Sequence, residues 1–281
     1  MPIHDQSYRR YGGLRENARS AWTVIAVSGI RQFLSKRPML GLLFAAWVPF
    51  MVRSVAFYVS ENFAQAEALL GPSKDVFRAF LEQQNFFVFL LAVYVGSGLI
   101  AQDRKANALQ IYLSKPLTRL DYVAGKATIL ATFLLFVTWV PALLLLIVQI
   151  LLSGSFAFAR ANLTLFPSIT LFAFIEVLVV CCAVLALSSL TTSTRYVAVM
   201  FAGVMFFTDA VFGTLRMITG TTAVSWISFT GSLAQVGDFV FRLPTLRYET
   251  PVAVSFLVLA ALVAVSISVL ERRVRGVEVV A

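Results

Sequence analysis

Few side chains in this sequence could do chemistry. There is one histidine, His4, and one pair of adjacent cysteines, Cys181 and Cys182. Two acids, Glu176 and Asp209, lie inside long apolar runs. Ionised and unpaired at the centre of a bilayer, each acid would cost about 2.5 kcal/mol or more. They are therefore expected to face other helices or to be protonated. One reading is the polar lining of a substrate path or a proton-linked site, and the plainer one is a hydrogen bond to a neighbouring Thr, Ser or Arg. A single histidine and two neighbouring cysteines cannot assemble a metal, haem or redox centre, and adjacent cysteines in an apolar helix read as small packing residues. No catalytic residue is assigned. The dipeptide Gly125-Lys126 is followed by Ala127 and lacks the upstream glycine of a phosphate loop, so no ATP site is expected on this chain.

The elements that must position these groups are set by composition. Of 281 residues, 59% are hydrophobic and 13% charged, with a mean hydropathy of +0.84, against about 45–50% and about 25% in soluble domains. Stretches of about 20 apolar residues cross the roughly 30 Å hydrocarbon layer as helices, which alone among open structures satisfy their backbone without water. The runs are too long and continuous for barrel strands. The fold expected is an all-α integral membrane protein with six spans, at about 39–59, 84–102, 127–152, 168–190, 196–215 and 251–270.

With the N-terminus inside, 16 of the 23 Lys and Arg fall on inner segments, so both termini and the loop 103–126 are expected in the cytoplasm of a cell-membrane protein. The net charge of +9 then reports topology and attraction to anionic lipid heads rather than nucleic-acid binding. No cleavable signal is expected, because the first 37 residues lack a short apolar core before a small-residue cleavage site. Residues 1–17 read as a basic tail. In 18–38, Trp22, Ile25, Ala26, Ile30 and Phe33 share one helical face, which predicts an amphipathic helix in the membrane interface. Residues 39–281 hold the spans. Two outer segments interrupt them: about 61–84, with a Gly-Pro break at 71–72, and the apolar stretch 216–250. Short helices on or dipping into the outer leaflet are expected in the second, with Trp226 and Phe229 at the interface.

The segment "DRKANALQIYLSKPLTRLDYVAGK", residues 103–126, is the polar exception. Ala106, Leu109, Tyr112 and Leu113 fall on one face of a short helix that Pro116 stops, and Thr118 with Asp121 forms a capping-box start for the third span. A plain connector needs about two to eight residues, so a structured loop with an apolar face asks for a cytoplasmic partner. These residues resemble the cytoplasmic loop of type-2 ATP-binding-cassette permeases: Asp103, Leu109, Leu113, Ser114, Pro116, Leu117, Thr118, Arg119, Gly125 and Lys126 match its order. Asn107 and Ala108 stand where Gly-Thr is usual, and Lys105 replaces a second acid. The resemblance implies a permease subunit that pairs with a second copy or a related permease, lies among membrane lipids, and docks the loop, with Tyr112 on its face, into a separate cytoplasmic ATPase that binds the ATP and Mg. Its action would be translocation, with export of an amphipathic or lipid-like substrate expected. Two other classes remain: a non-transporting anchor or scaffold of a larger complex, and an intramembrane lipid-modifying enzyme, which the scattered acids disfavour.

The last expectation concerns depth. Counted at about 1.5 Å per residue from the turn near 191–195, Glu176 and Asp209 lie roughly 22 and 21 Å in, so the two carboxyls are expected to be neighbours able to share a proton.

Overall fold

The computed structural model describes residues 21–63, 71–108, 118–154 and 157–274. Six helices are long and apolar enough to cross a membrane: Arg37–Asn62, Lys74–Lys105, Arg119–Leu152, Leu165–Leu190, Thr194–Thr219 and Val252–Arg273. They run alternately between the end of the bundle that carries residues 103 and 126, called the loop end below, and the opposite end.

Ahead of the spans, α1 (Ala21–Leu34) lies along the start of the third span. Small residues allow that approach, as is usual where helices pack in lipid. A Cβ at Gly29 would fall 2.2 Å from Ile129, and one at Gly125 would fall 3.0 Å from the Trp22 carbonyl. Of the apolar face, Ala26 is buried, Ile25, Ile30 and Phe33 pack against the core, and the Phe33 ring meets Tyr94 and Phe133 edge-on, while Trp22 is exposed.

Proline and hydroxyl chemistry break three of the spans. The first is α2 (Arg37–Ala46) and α3 (Val48–Asn62), which meet at Trp47 just ahead of Pro49. The second is α4 (Lys74–Tyr94), a 3-10 turn at Gly96–Gly98 and α5 (Ala101–Lys105). The third is α6 (Arg119–Val137) and α7 (Trp139–Leu152), separated at Thr138. Pro141 offers no N–H there and its ring displaces the carbonyl four residues earlier. Thr138 Oγ1 meanwhile donates to the Leu134 carbonyl at 2.9 Å.

A short helix, α8 (Ala157–Ala161), leads into α9 (Leu165–Leu190), the unbroken fourth span. It is the central post of the bundle: 67% of its apolar window is buried, against 17% for the sixth span. A helix apolar on all sides belongs in the interior, and this one packs against every other span except the first. The fifth span is α10 (Thr194–Ala202), a π turn at Gly203–Phe207 and α11 (Thr208–Thr219), which Gly220 ends at φ 68°. After a 3-10 turn at Ser225–Ile227 comes α12 (Phe229–Val240), and α13 (Val252–Arg273) is the sixth span.

Two expectations are corrected here. The third span starts at Arg119, directly after the expected Thr118 cap, but the second starts well before its hydrocarbon-like run, at Lys74, so the segment after the Gly-Pro break is the first turns of a span rather than part of an outer segment. Ser73 caps that start by accepting from the Val76 N–H at 3.3 Å. Nor does α12 lie on the surface. It is enclosed by α13, α9, α11 and α4, with every residue from Gly231 to Asp238 buried. Phe229 is inside with it, while Trp226 remains partly exposed. The enclosure follows from composition, since "GSLAQVG" carries only small or uncharged side chains on all sides.

Candidate functional site

At the loop end, helix periodicity assembles a clamp around residues 103–126. Tyr122 and Lys126 are four residues apart on α6, so their side chains stack on one face. Asp103 on α5 meets both through the same oxygen: Lys126 Nζ lies 2.7 Å from Oδ2, and the Tyr122 hydroxyl donates to it at 2.7 Å. Tyr122 is fully buried, and the Asp103 and Lys126 side chains are only 18% and 11% exposed. Asp103 and Lys126, the two outermost matches of the loop pattern, are thus bonded to each other. Arg104 extends the clamp to a third span by donating from Nη1 to the Ser189 carbonyl, among the unsatisfied acceptors at the end of α9.

The backbone of both stems is fixed as well. Thr118 accepts from the Asp121 N–H at 3.1 Å while Asp121 accepts from the Thr118 N–H at 3.2 Å, a capping box as expected. On the other stem, Asn107 adopts φ 53°. Among residues with side chains, Asn tolerates this left-handed region best, whereas glycine adopts it freely. Arg119 is exposed in the first turn of α6. Leu109, Tyr112, Leu113 and Pro116 lie outside the described residues.

The opposite end carries a charge network that was not among the expectations. Arg78 on α4, 1% exposed, donates from Nε to Asp238 Oδ1 on α12 at 3.1 Å and from Nη2 to the Ala234 carbonyl at 3.2 Å. Its guanidinium carbon sits 4.6 Å from the centre of the Phe172 ring of α9. Asp238 Oδ2 accepts from Arg247 Nε at 3.0 Å, and Arg247 grips Glu82 with both terminal nitrogens, at 2.5 and 2.9 Å. The Glu82 hydrogen bonds, and behind them the Asp238 and Glu82 charges, hold the Arg247 guanidinium above the ordinary arginine range. The end of the second span and the loop before the sixth are therefore tied to α12 through one carboxylate, that of Asp238. Arg78 and Arg247, expected as ordinary charges of outer segments, are neutralised partners.

Glu176 and Asp209 are not the pair that their depths suggested. Asp209 accepts from Ser228 Oγ at 2.5 Å and from Thr230 Oγ1 at 2.7 Å, gripping the first turn of α12. Glu176 is fully buried in α9, neither of its oxygens has a hydrogen-bond partner among the described residues, and the charge acting on it is Arg78. Asp209 directly follows the π turn at Gly203–Phe207. Of the cysteines, Cys181 is buried and Cys182 half-buried, and both are free thiols.

No family profile matches this chain, and no curated protein is significantly similar to it. The class defined by the fold is a multi-pass, all-helical membrane protein. It is braced by one ionic clamp at each end.

Proposed function

We propose that this chain is the membrane subunit of an ATP-binding-cassette transporter and couples ATP hydrolysis by a separate cytoplasmic ATPase to translocation, with export of an amphipathic or lipid-like substrate. The observation that carries this reading is the Asp103–Lys126–Tyr122 clamp. A loop can move spans only if its stems transmit force without yielding. Here one stem is bonded to the other, and Arg104 bonds the first to the fourth span. A push on the segment between them therefore reaches the second, third and fourth spans together.

In this reading residues 103–126 supply the coupling helix, ATP and Mg reside on the partner, and α1 lies in the inner interface with its basic side toward lipid heads. Both termini are cytoplasmic, as the distribution of Lys and Arg favours. Cysteines placed at Asn107 and Arg273 would then label only from the cytoplasm, and one at Ser73 only from outside.

The deciding experiment is purification in mild detergent followed by assay of the co-purifying ATPase. Tyr112→Ala, Leu113→Asp and Pro116→Ala should weaken ATPase association or uncouple hydrolysis from transport while leaving insertion intact. Wild-type coupling in all three would overturn the assignment. An ATPase held without substrate movement would make the chain a scaffold, and lipid-modifying activity in the isolated chain would make it an enzyme.

A further inference from the structure

The surface of the bundle carries a groove between the third, fourth and sixth spans. Its floor is α9, with Phe174, Leu178 and Cys182, and its far wall is Ile267 and Leu270 of α13. The near wall is a stripe on α6 at four-residue intervals, Val123, Ala127, Ala131 and Leu135. Two alanines in mid-stripe, rather than larger side chains, keep the slot open. Every side chain in it is apolar or a thiol.

Its length is informative. From Val123 to Leu135 the α6 axis advances roughly 18 Å at about 1.5 Å per residue, close to one leaflet of a hydrocarbon layer about 30 Å thick. The groove opens at the loop end, where its chemistry changes. Arg119 continues the α6 stripe one turn beyond Val123 and is exposed. Arg272 and Arg273, also exposed, end α13 within a turn of Leu270. Two acids are near. Asp121 is committed to the Thr118 cap, and Glu271, next to Leu270 on α13, is exposed.

We propose that this groove is a binding site for one anionic phospholipid, with an acyl chain along the Val123–Leu135 stripe and the phosphate at Arg119 and Arg273. A slot one leaflet deep that ends in guanidinium groups matches the two halves of such a molecule, and the planar donor fork of arginine suits phosphate oxygens. Basic sites beside spans are a recurring means of holding acidic lipid heads. The site does not depend on the transporter assignment.

The test is native mass spectrometry of the purified full chain, titrated with phosphatidylglycerol and with phosphatidylcholine of the same acyl chains. One phosphatidylglycerol per chain should be retained in preference to phosphatidylcholine. Replacing Arg119 and Arg273 by Ala should lower that retention by about fivefold per arginine. Ala131→Phe, which fills the slot, should abolish it. Equal retention of the two lipids by the wild type would overturn the proposal, as would undiminished phosphatidylglycerol retention in either variant. The arginine positions are exposed, so that variant carries the test even if the groove-filling one does not fold.

Discussion

The α12 backbone at Gly237 lies against the Arg78 guanidinium so closely that a Cβ there would stand 2.5 Å from Nε and 2.6 Å from Cζ. Arg78 has nowhere to retreat, being fixed by Asp238 on one side and the Phe172 ring on another. Gly237→Ala is therefore expected to destabilise the protein by about 1–3 kcal/mol through overpacking. Chemical unfolding in detergent measures it, and an unchanged midpoint would contradict so close an approach.

The Arg78–Asp238 pair, 2% exposed on each side, predicts strong asymmetry between single and double substitutions. Arg78→Met or Asp238→Leu alone strands a buried charge and should cost about 3–5 kcal/mol, while the double variant should cost much less than the sum. Arg247→Ala should cost less than either, because its bond to Glu82 is between groups 36% and 39% exposed. The unfolding midpoints of the four proteins give the comparison directly.

At the loop end, the φ of 53° at Asn107 makes its substitution sensitive to shape rather than polarity. Asn107→Gly should be neutral to within about 0.5 kcal/mol, whereas Asn107→Val should lose about 1–2 kcal/mol to the left-handed strain. If the transporter reading holds, the valine variant should also hydrolyse ATP without proportionate transport. Equal stability of the two variants would mean that this position does not hold the left-handed turn.

Glu176 and Asp209 should behave as independent sites. Their partners differ, Arg78 for one and Ser228 with Thr230 for the other. Glu176→Gln should be tolerated, since the carboxyl makes no hydrogen bond that the amide would lose. Asp209→Ala should cost about 1–3 kcal/mol by leaving hydroxyls of α12 unpaired. In a cycle of the two amide variants the effects should add within about 0.5 kcal/mol, and a larger coupling energy would restore the shared-proton arrangement.

What the sequence made legible follows from the range of the forces involved. All six spans could be read because burial in lipid demands continuous apolar runs. The Thr118–Asp121 box could be read because its partners are three residues apart. The start at Lys74 was hidden because hydropathy falls where a helix carries charge, even when tertiary partners keep it helical. Arg78 and Asp238 are 160 residues apart, and nothing local to either names the other. One signal was available in hindsight. An aspartate in the otherwise uncharged run from Arg216 to Arg242 needs a cation from elsewhere, and Arg78, set among phenylalanines in "DVFRAF", was the candidate.

The break in the second span has a consequence for biogenesis. At the Gly96–Gly98 turn three backbone groups leave the helical ladder, and one side chain satisfies them all. Ser188 Oγ accepts from the N–H groups of Ile100 and Ala101 at 3.1 and 3.0 Å and donates to the Ser97 carbonyl at 2.9 Å. Ser188 is on the fourth span, so it leaves the ribosome after the second and third spans have been made. Until it arrives, those groups must keep water or protein company, because exposing them to lipid costs several kcal/mol each. The break in the second span is therefore completed only when the fourth span delivers a single hydroxyl.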